Sequence, residues 1–229
     1  LDAYSHFMSP QELRDLSAAA SAAAFAIALP EQGVYIRIPV FHAKTAGQIH
    51  QAVQALLAQG PIDKVVLDLR GNRGGLLNAA VEVADEFVTQ GRIAETIGRS
   101  DTANLVFLAK PDGLLSGRRV VVLIDAKTAS AAELLAGILQ RNDKAVLAGR
   151  NSFGKSAVQS QFALENGESL SLTTAYYRFS DGSTVGPEGL APDTVLPRWA
   201  MRRKPPLPGT VNGKTLLKDD YAVRRAWEF

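Results

Sequence analysis

The chain has 229 residues, 46% hydrophobic and 21% charged, which suits one substantial soluble domain or one domain with added elements. A net charge of only +2 gives no global electrostatic case for nucleic acid or an anionic membrane, although peripheral membrane association stays open. The absence of cysteine excludes thiolate nucleophiles, disulfides and cysteine-ligated zinc.

The chain opens on Leu1-Asp2 without an initiator Met or a signal peptide, so a mature or trimmed fragment is expected. No apolar run reaches the ~18 residues that suggest a membrane span. "LDAYSHFMSPQELRDL" (1–16) predicts a turn and then a helix, with Ser9 as cap and Pro10 at the first helical position. "SAAASAAAFAIA" (17–28) is low in complexity and could be helical on propensity alone. "VYIRIPVF", from Val34, alternates like a strand, and Thr45 to Gln59 carries Ile49, Val53, Leu56 and Leu57 on one helical face.

"KVVLDL" (64–69) is a short buried strand running into "RGNRGG", followed by helical spacing over 76–88. Strands are expected near 92–97, 103–109 and 118–126, then a helix over Ser130 to Gln140 and a strand in "KAVLAG". "AVQSQFAL", the turn "ENG" and "ESLSLTTAYYRF" predict a β-hairpin. The tail from Pro205 looks loop-rich until "YAVRRAWEF", which has a helical cast, and the basic "MRRK" (201–204) reads as a solvated patch. Alternating strands and helices followed by antiparallel β predict one α/β domain with a layered sheet.

Two readings compete at Lys155. Gly149 to Ser156 fits G-x-x-x-x-G-K-S, a phosphate-binding loop, with Asp68 and Asp125 as candidate magnesium ligands. That loop requires a helix after the lysine, because the anion sits on the helix N-terminus. Here the following residues alternate like a strand, which weakens the match.

The other reading pairs Lys155 with Ser130. A serine needs a neighbouring base to become nucleophilic, and His6, His42 and His50 form no recognisable triad. A lysine serves if burial away from carboxylates keeps it neutral, and Phe153, Ala157 and Val158 surround Lys155 with apolar sequence. Ser130 falls at a strand-to-helix turn, where the helix N-terminus favours an oxyanion. "SAAE" is equally a capping box of Ser130 and Glu133, and both readings stand on the residues alone.

"LDLRGNRGGLL", "KTASAAELLAG", "AGRNSFGKSAVQSQFAL" and "GPEGLAPD" together resemble the carboxyl-terminal processing (tail-specific) serine proteases, in that family's order, from about Gly33 to about Leu196. "LDAYSHFMSP" also resembles the segment that precedes the family's PDZ domain. The resemblance implies a mixed-sheet α/β core of the crotonase/ClpP-like type with a C-terminal β-hairpin. It implies a Ser–Lys endopeptidase without metal or cofactor, acting near the C-termini of unfolded or flexible-tailed proteins in an exported compartment such as the bacterial periplasm. A second copy or an adaptor protein is a candidate partner, and nucleic acid is not. A scaffold that keeps the fold without cleaving is the alternative.

Carried over by residue, Ser130 is the nucleophile, Lys155 the general base and Gln159 the group that positions the amine. The N–H groups of Ala131 and of Gly75, rather than Gly74, form the oxyanion hole, while Asp68 and Arg70 hold the loop. In a fully extended strand, residues 155 and 159 lie about 13 Å apart, so a Lys155–Gln159 hydrogen bond requires the backbone to turn. Only seventeen residues lie between Leu16 and Val34, too few for a PDZ domain of ~100 residues. The expected organisation is a helical segment over 1–16 and an Ala/Ser-rich linker over 17–33, then a protease core over 34–198 and an extension over 199–229. Loss of the PDZ domain, by deletion, natural reduction or omission, is expected.

Overall fold

A computed structural model describes residues 2–12, 22–142 and 144–229. Its main sheet has six strands in the order β11-β8-β7-β4-β3-β2. These are β2 (Phe25–Leu29), β3 (Gly33–Arg37), β4 (Lys64–Asp68), β7 (Arg119–Ile124), β8 (Ala145–Gly149) and β11 (Thr194–Val195). All neighbours are parallel except β2, which pairs antiparallel with β3.

The central strands β3, β4 and β7 are largely apolar because both of their faces are covered. Val34 and Ile36 of β3, Val65 and Leu67 of β4, and Val120, Val122 and Ile124 of β7 share one core with three helices. These are α1 (Thr45–Leu57), α2 (Leu77–Asp85) and α3 (Ala131–Arg141). The alternate residues Tyr35, Val66, Val121 and Leu123 point the other way, onto Leu216, Ala222, Val223 and Ala226. Those four belong to α4 (Gly213–Asp219) and α5 (Tyr221–Glu228).

A second, antiparallel sheet joins β1 (His6–Met8), β5 (Arg92–Gly98), β6 (Leu105–Leu108), β9 (Ala157–Ala163) and β10 (Ser169–Phe179). β9 and β10 form the expected hairpin, and Tyr177 and Phe179 of β10 bury into the first core.

The structure departs from the sequence reading at both ends. Phe25–Leu29, expected in a helical or linker stretch, is an edge strand of the main sheet; the rest of that stretch over 17–21 lies outside the described residues. Pairing with β3 overrides alanine's helix preference, since an edge strand that covers Val34 and Tyr35 gains more than an unpacked helix. The opening segment is not simply turn and helix, because His6–Met8 pairs with β10 before Ser9 caps a helical start at Pro10. The tail holds α4 as well as the expected α5, and both are packed. Arg202, Arg203 and Lys204 are exposed, as a solvated patch would be.

Candidate active site

The neighbours β4, β7 and β8 run parallel, so their carboxyl ends open on one edge of the sheet, where open α/β sheets place their sites. Three segments far apart in sequence leave from that edge: the glycine-rich loop after Asp68, the turn to Ser130 after Ile124, and the approach to Lys155 after Gly149. Backbone hydrogen bonds stitch them together. Ala129 N–H donates to Asn72 O at 2.9 Å, Phe153 N–H to Thr128 O at 2.9 Å, and the Thr128 hydroxyl to Leu69 O at 3.0 Å.

Ser130 stands at the N-cap of α3 with φ 55° and ψ −119°, a conformation costly for a residue with a Cβ. Ser130 and Glu133 occupy the two positions of a capping box, and Glu133 Oε2 accepts from Ser130 N–H at 2.8 Å.

Glu133 does more than cap. Fully buried, its carboxylate accepts four hydrogen bonds: Ser130 N–H and Lys155 N–H (2.9 Å) on Oε2, Ser152 Oγ (2.5 Å) and Gly154 N–H (2.6 Å) on Oε1. One oxygen atom thus ties the backbone of Ser130 to that of Lys155. The buried Tyr177 hydroxyl bridges the same two residues, 3.4 Å from Ser130 O and 3.3 Å from Lys155 O. Burial, with the Glu133 carboxylate nearby, pushes this phenol well above its ordinary pKa, so it remains a neutral donor.

Lys155 Nζ donates to Gln159 Oε1 at 2.6 Å. The separation expected of a fully extended strand does not apply, because β9 begins only at Ala157 and leaves Lys155 and Ser156 outside it. Burial lowers the lysine pKa from its ordinary 10.5, against the opposing pull of the Asp2 carboxylate. Sequence placed no acid near Lys155; the fold brings Asp2 there. Among the described residues, no hydrogen bond joins Lys155 Nζ to Ser130.

The glycine-rich loop lies directly against the serine. A Cβ on Gly74 would sit 2.9 Å from Ser130 Cβ and 3.1 Å from Ala131 N, and one on Gly75 would sit 2.1 Å from Phe41 O. Gly74 N–H is taken by Asn72 Oδ1 at 2.8 Å. Among the described residues no hydrogen bond occupies the N–H of Gly75 or of Ala131, the pair expected from sequence.

Asp68 and Arg70 brace this loop from below. The Arg70 guanidinium reaches Asp68 Oδ2 at 2.6 Å and Asp220 Oδ2 at 2.8 Å, all three buried. Burial alone would raise the Asp68 carboxyl, but Arg70, Arg37 and hydrogen bonds from Arg70 and Tyr35 outweigh it and hold the carboxyl below the usual range. Asp220 was invisible in this role from sequence; it also caps α5, accepting from Val223 N–H.

The phosphate-loop context is absent, since a strand follows Lys155. His50 pairs with Glu86 at 2.7 Å, away from these loops. No group of three or more metal-ligating side chains, and no helix long and apolar enough to cross a membrane, occurs among the described residues.

Residues 33–196 match the profile of peptidase family S41. The chain belongs to that family. A carboxy-terminal-processing protease of Bartonella bacilliformis is 37% identical over 193 residues, 83% of this chain and 43% of that protein. A carboxyl-terminal-processing protease of Picosynechococcus is 38% identical over 165 residues, 72% of this chain and 39% of that protein. This S41 chain therefore spans less than half the length of either relative. The solved structure of a photosystem II D1 C-terminal processing protease superposes with a TM-score of 0.62 at 30% identity, covering 84% of this chain and 47% of the other. A Streptococcus agalactiae lipoprotein shares the fold with a TM-score of 0.67 at 19% identity, over 84% of this chain and 71% of that one.

Proposed function

We propose that this S41 chain is a serine endopeptidase in which Ser130 attacks a peptide carbonyl and Lys155 serves as general base, acting near the C-termini of unfolded or flexible-tailed proteins. The observation that carries the reading is the Lys155–Gln159 bond. A neutral amine has two N–H groups and one lone pair. An amide oxygen that takes an N–H at 2.6 Å leaves the lone pair free to accept the serine proton. Burial of the lysine favours the neutral form this requires.

In the first step Ser130 Oγ bonds to the scissile carbonyl carbon while its proton passes to Lys155 Nζ. The oxyanion accepts hydrogen bonds from the N–H groups of Gly75 and Ala131, reinforced by the N-terminus of α3. The tetrahedral adduct collapses to an acyl-enzyme as the leaving amine takes the proton from Lys155, and water, deprotonated by the same lysine, hydrolyses the ester. Processing of protein tails, in the names of the curated relatives, supports protein substrates here, and an exported compartment suits that work.

The test is cleavage of an unfolded reporter ending in an apolar tail, by this chain, Ser130→Ala and Lys155→Ala. Cleavage that both substitutions abolish is expected. Cleavage that survives either one refutes the dyad.

A further inference from the structure

The Gln159 amide is symmetric in shape and can face Lys155 with either end. Only one end accepts, so an amide turned the wrong way would aim its NH₂ group at the amine and, by donating to the lone pair, block the base. Something must choose the orientation, and the choice is made by the opening segment of the chain. Gln159 Nε2 donates to the main-chain carbonyl of Tyr4. A carbonyl can only accept, so it admits the NH₂ end alone and turns Oε1 to Lys155. His6 Nδ1 lies 2.9 Å from the same carbonyl and must therefore carry its proton there.

The segment is held where this contact needs it. β1 pairs with β10 through His6↔Ser171, Phe7↔Leu170 and Met8↔Ser169. Thr173 lies directly across from Gln159 on the hairpin, at an irregularity in the ladder, and its N–H donates to Ser5 Oγ at 3.0 Å. The Tyr4 hydroxyl donates to Gly154 O at 3.4 Å, and the Tyr176 hydroxyl to Asp2 Oδ2 at 3.4 Å. The Tyr4 ring then covers Lys155 Nζ at 5.1 Å from its centroid.

We propose that Tyr4 is a positioning residue for Lys155: its carbonyl sets the orientation of the Gln159 amide, and its ring shields the lysine amine from water. The inference rests on Lys155 being the base. It makes the stretch from Asp2 to Met8 part of the catalytic apparatus, although the S41 match begins only at residue 33.

The titratable groups around Lys155 act in different senses. Asp2, its carboxyl held down at about 2 by hydrogen bonds led by the Ser5 hydroxyl, is a full negative charge and favours the ammonium. Glu133 touches the Lys155 N–H, Tyr177 its carbonyl, and His6 only the Tyr4 carbonyl. Burial is the largest influence on the amine, so uncovering it raises its pKa toward the ordinary value and reduces the neutral fraction.

The experiment compares the unmodified chain with Tyr4→Ala, Tyr4→Phe, Gln159→Ala and the Tyr4→Ala/Gln159→Ala double variant. Two readouts are taken across pH: kcat/KM for reporter cleavage, and acylation of Lys155 by trace acetic anhydride, which counts the neutral amine without any need for catalysis. Tyr4→Ala is expected to lower kcat/KM roughly 10- to 100-fold, as misplacement of a catalytic group does. It also moves the Lys155 acylation curve and the rising limb of kcat/KM to higher pH. Tyr4→Phe, which keeps the ring, restores both and serves as the folding control; the main-chain carbonyl persists in either variant, so this pair reads the ring. Gln159→Ala, which leaves no amide for the Tyr4 carbonyl to orient, lowers kcat/KM while the ring still covers the amine, and the double variant adds the loss of that cover. An unmoved acylation curve in Tyr4→Ala overturns the shielding by the Tyr4 ring, a kcat/KM left unchanged by Gln159→Ala overturns the orienting contact, and the dyad survives if Lys155→Ala still abolishes cleavage. A moved curve in a chain whose cleavage survives Lys155→Ala upholds the Tyr4 contact and refutes the dyad.

Discussion

Glu133→Gln removes charge and one acceptor from a buried side chain that serves four donors, with almost no change of shape. The amide has two settings. With its NH₂ end at the Oε2 position, it confronts the backbone N–H groups of both Ser130 and Lys155, which accept no compensation. With the amide flipped, the NH₂ group faces Gly154 N–H and Ser152 Oγ. Only one backbone donor is then stranded, and the serine oxygen, already accepting from Leu190 N–H at 2.7 Å, still has a second lone pair. The flipped amide is therefore preferred. Its cost is one buried unsatisfied N–H, the stranded Ser152 proton and the loss of charge assistance, together about 2–4 kcal/mol. For a chain of this size that lowers Tm by about 4–16 °C. Urea denaturation and thermal melting measure the loss, and reporter cleavage measures activity alongside. Because the flipped amide still accepts from Ser130 and Lys155, activity should fall less than in Glu133→Ala, which strands all four donors. A Glu133→Gln chain within about 0.5 kcal/mol of the parent would show that the carboxylate is not the acceptor these donors depend on.

Ser130→Gly should abolish cleavage yet stabilise the chain by about 1 kcal/mol in urea denaturation, since glycine tolerates φ 55° and ψ −119° without the penalty a Cβ incurs; equal or lower stability would argue against strain at the serine. For Lys155 the sign follows from burial: between its lowered value and 10.5 the unfolded chain binds more protons than the folded one, so the stability set by this group rises with pH across that window. Lys155→Met should accordingly flatten that rise in urea midpoints measured against pH, and kcat/KM of the parent should climb with pH with a midpoint below 10.5. Arg70→Ala leaves the buried Asp68 and Asp220 carboxylates without their shared guanidinium and should cost about 3–5 kcal/mol, read by urea denaturation; a cost below 1 kcal/mol would refute the bracing role.

Most of the architecture was legible in short-range pattern. Strand alternation, short apolar runs and period-3.6 spacing located β3, β4, β7 and β8 and the helices α1 to α3, and the "ENG" turn located the hairpin, because those signals need only neighbours in sequence. The failures share one cause. Phe25–Leu29 looked helical because alanine favours helix in isolation, and only pairing with β3 makes it a strand. The tail looked like an extension because nothing in it reveals that Tyr35, Val66 and Leu123 need a cover on the far face of the sheet.

The candidate site divides in the same way. Residue type and spacing raised Ser130 and Lys155 as candidates beside a capping and a phosphate-loop reading, while Gln159, Gly75 and Ala131 came only from the family resemblance. "SAAE" announced Glu133 as a cap but not as the acceptor for Lys155, which is 22 positions away. "LDAYS" carried no sign that Tyr4 would reach Gln159, 155 positions on. Residue type and local periodicity, carried by the sequence alone, determined most of the elements and which side chains are candidates for chemistry. The parallel order of β4, β7 and β8, and the strap of β1 on β10, decided which of those side chains meet. Hydrogen bonds between distant segments depend on the direction in which strands end, and no local pattern encodes that.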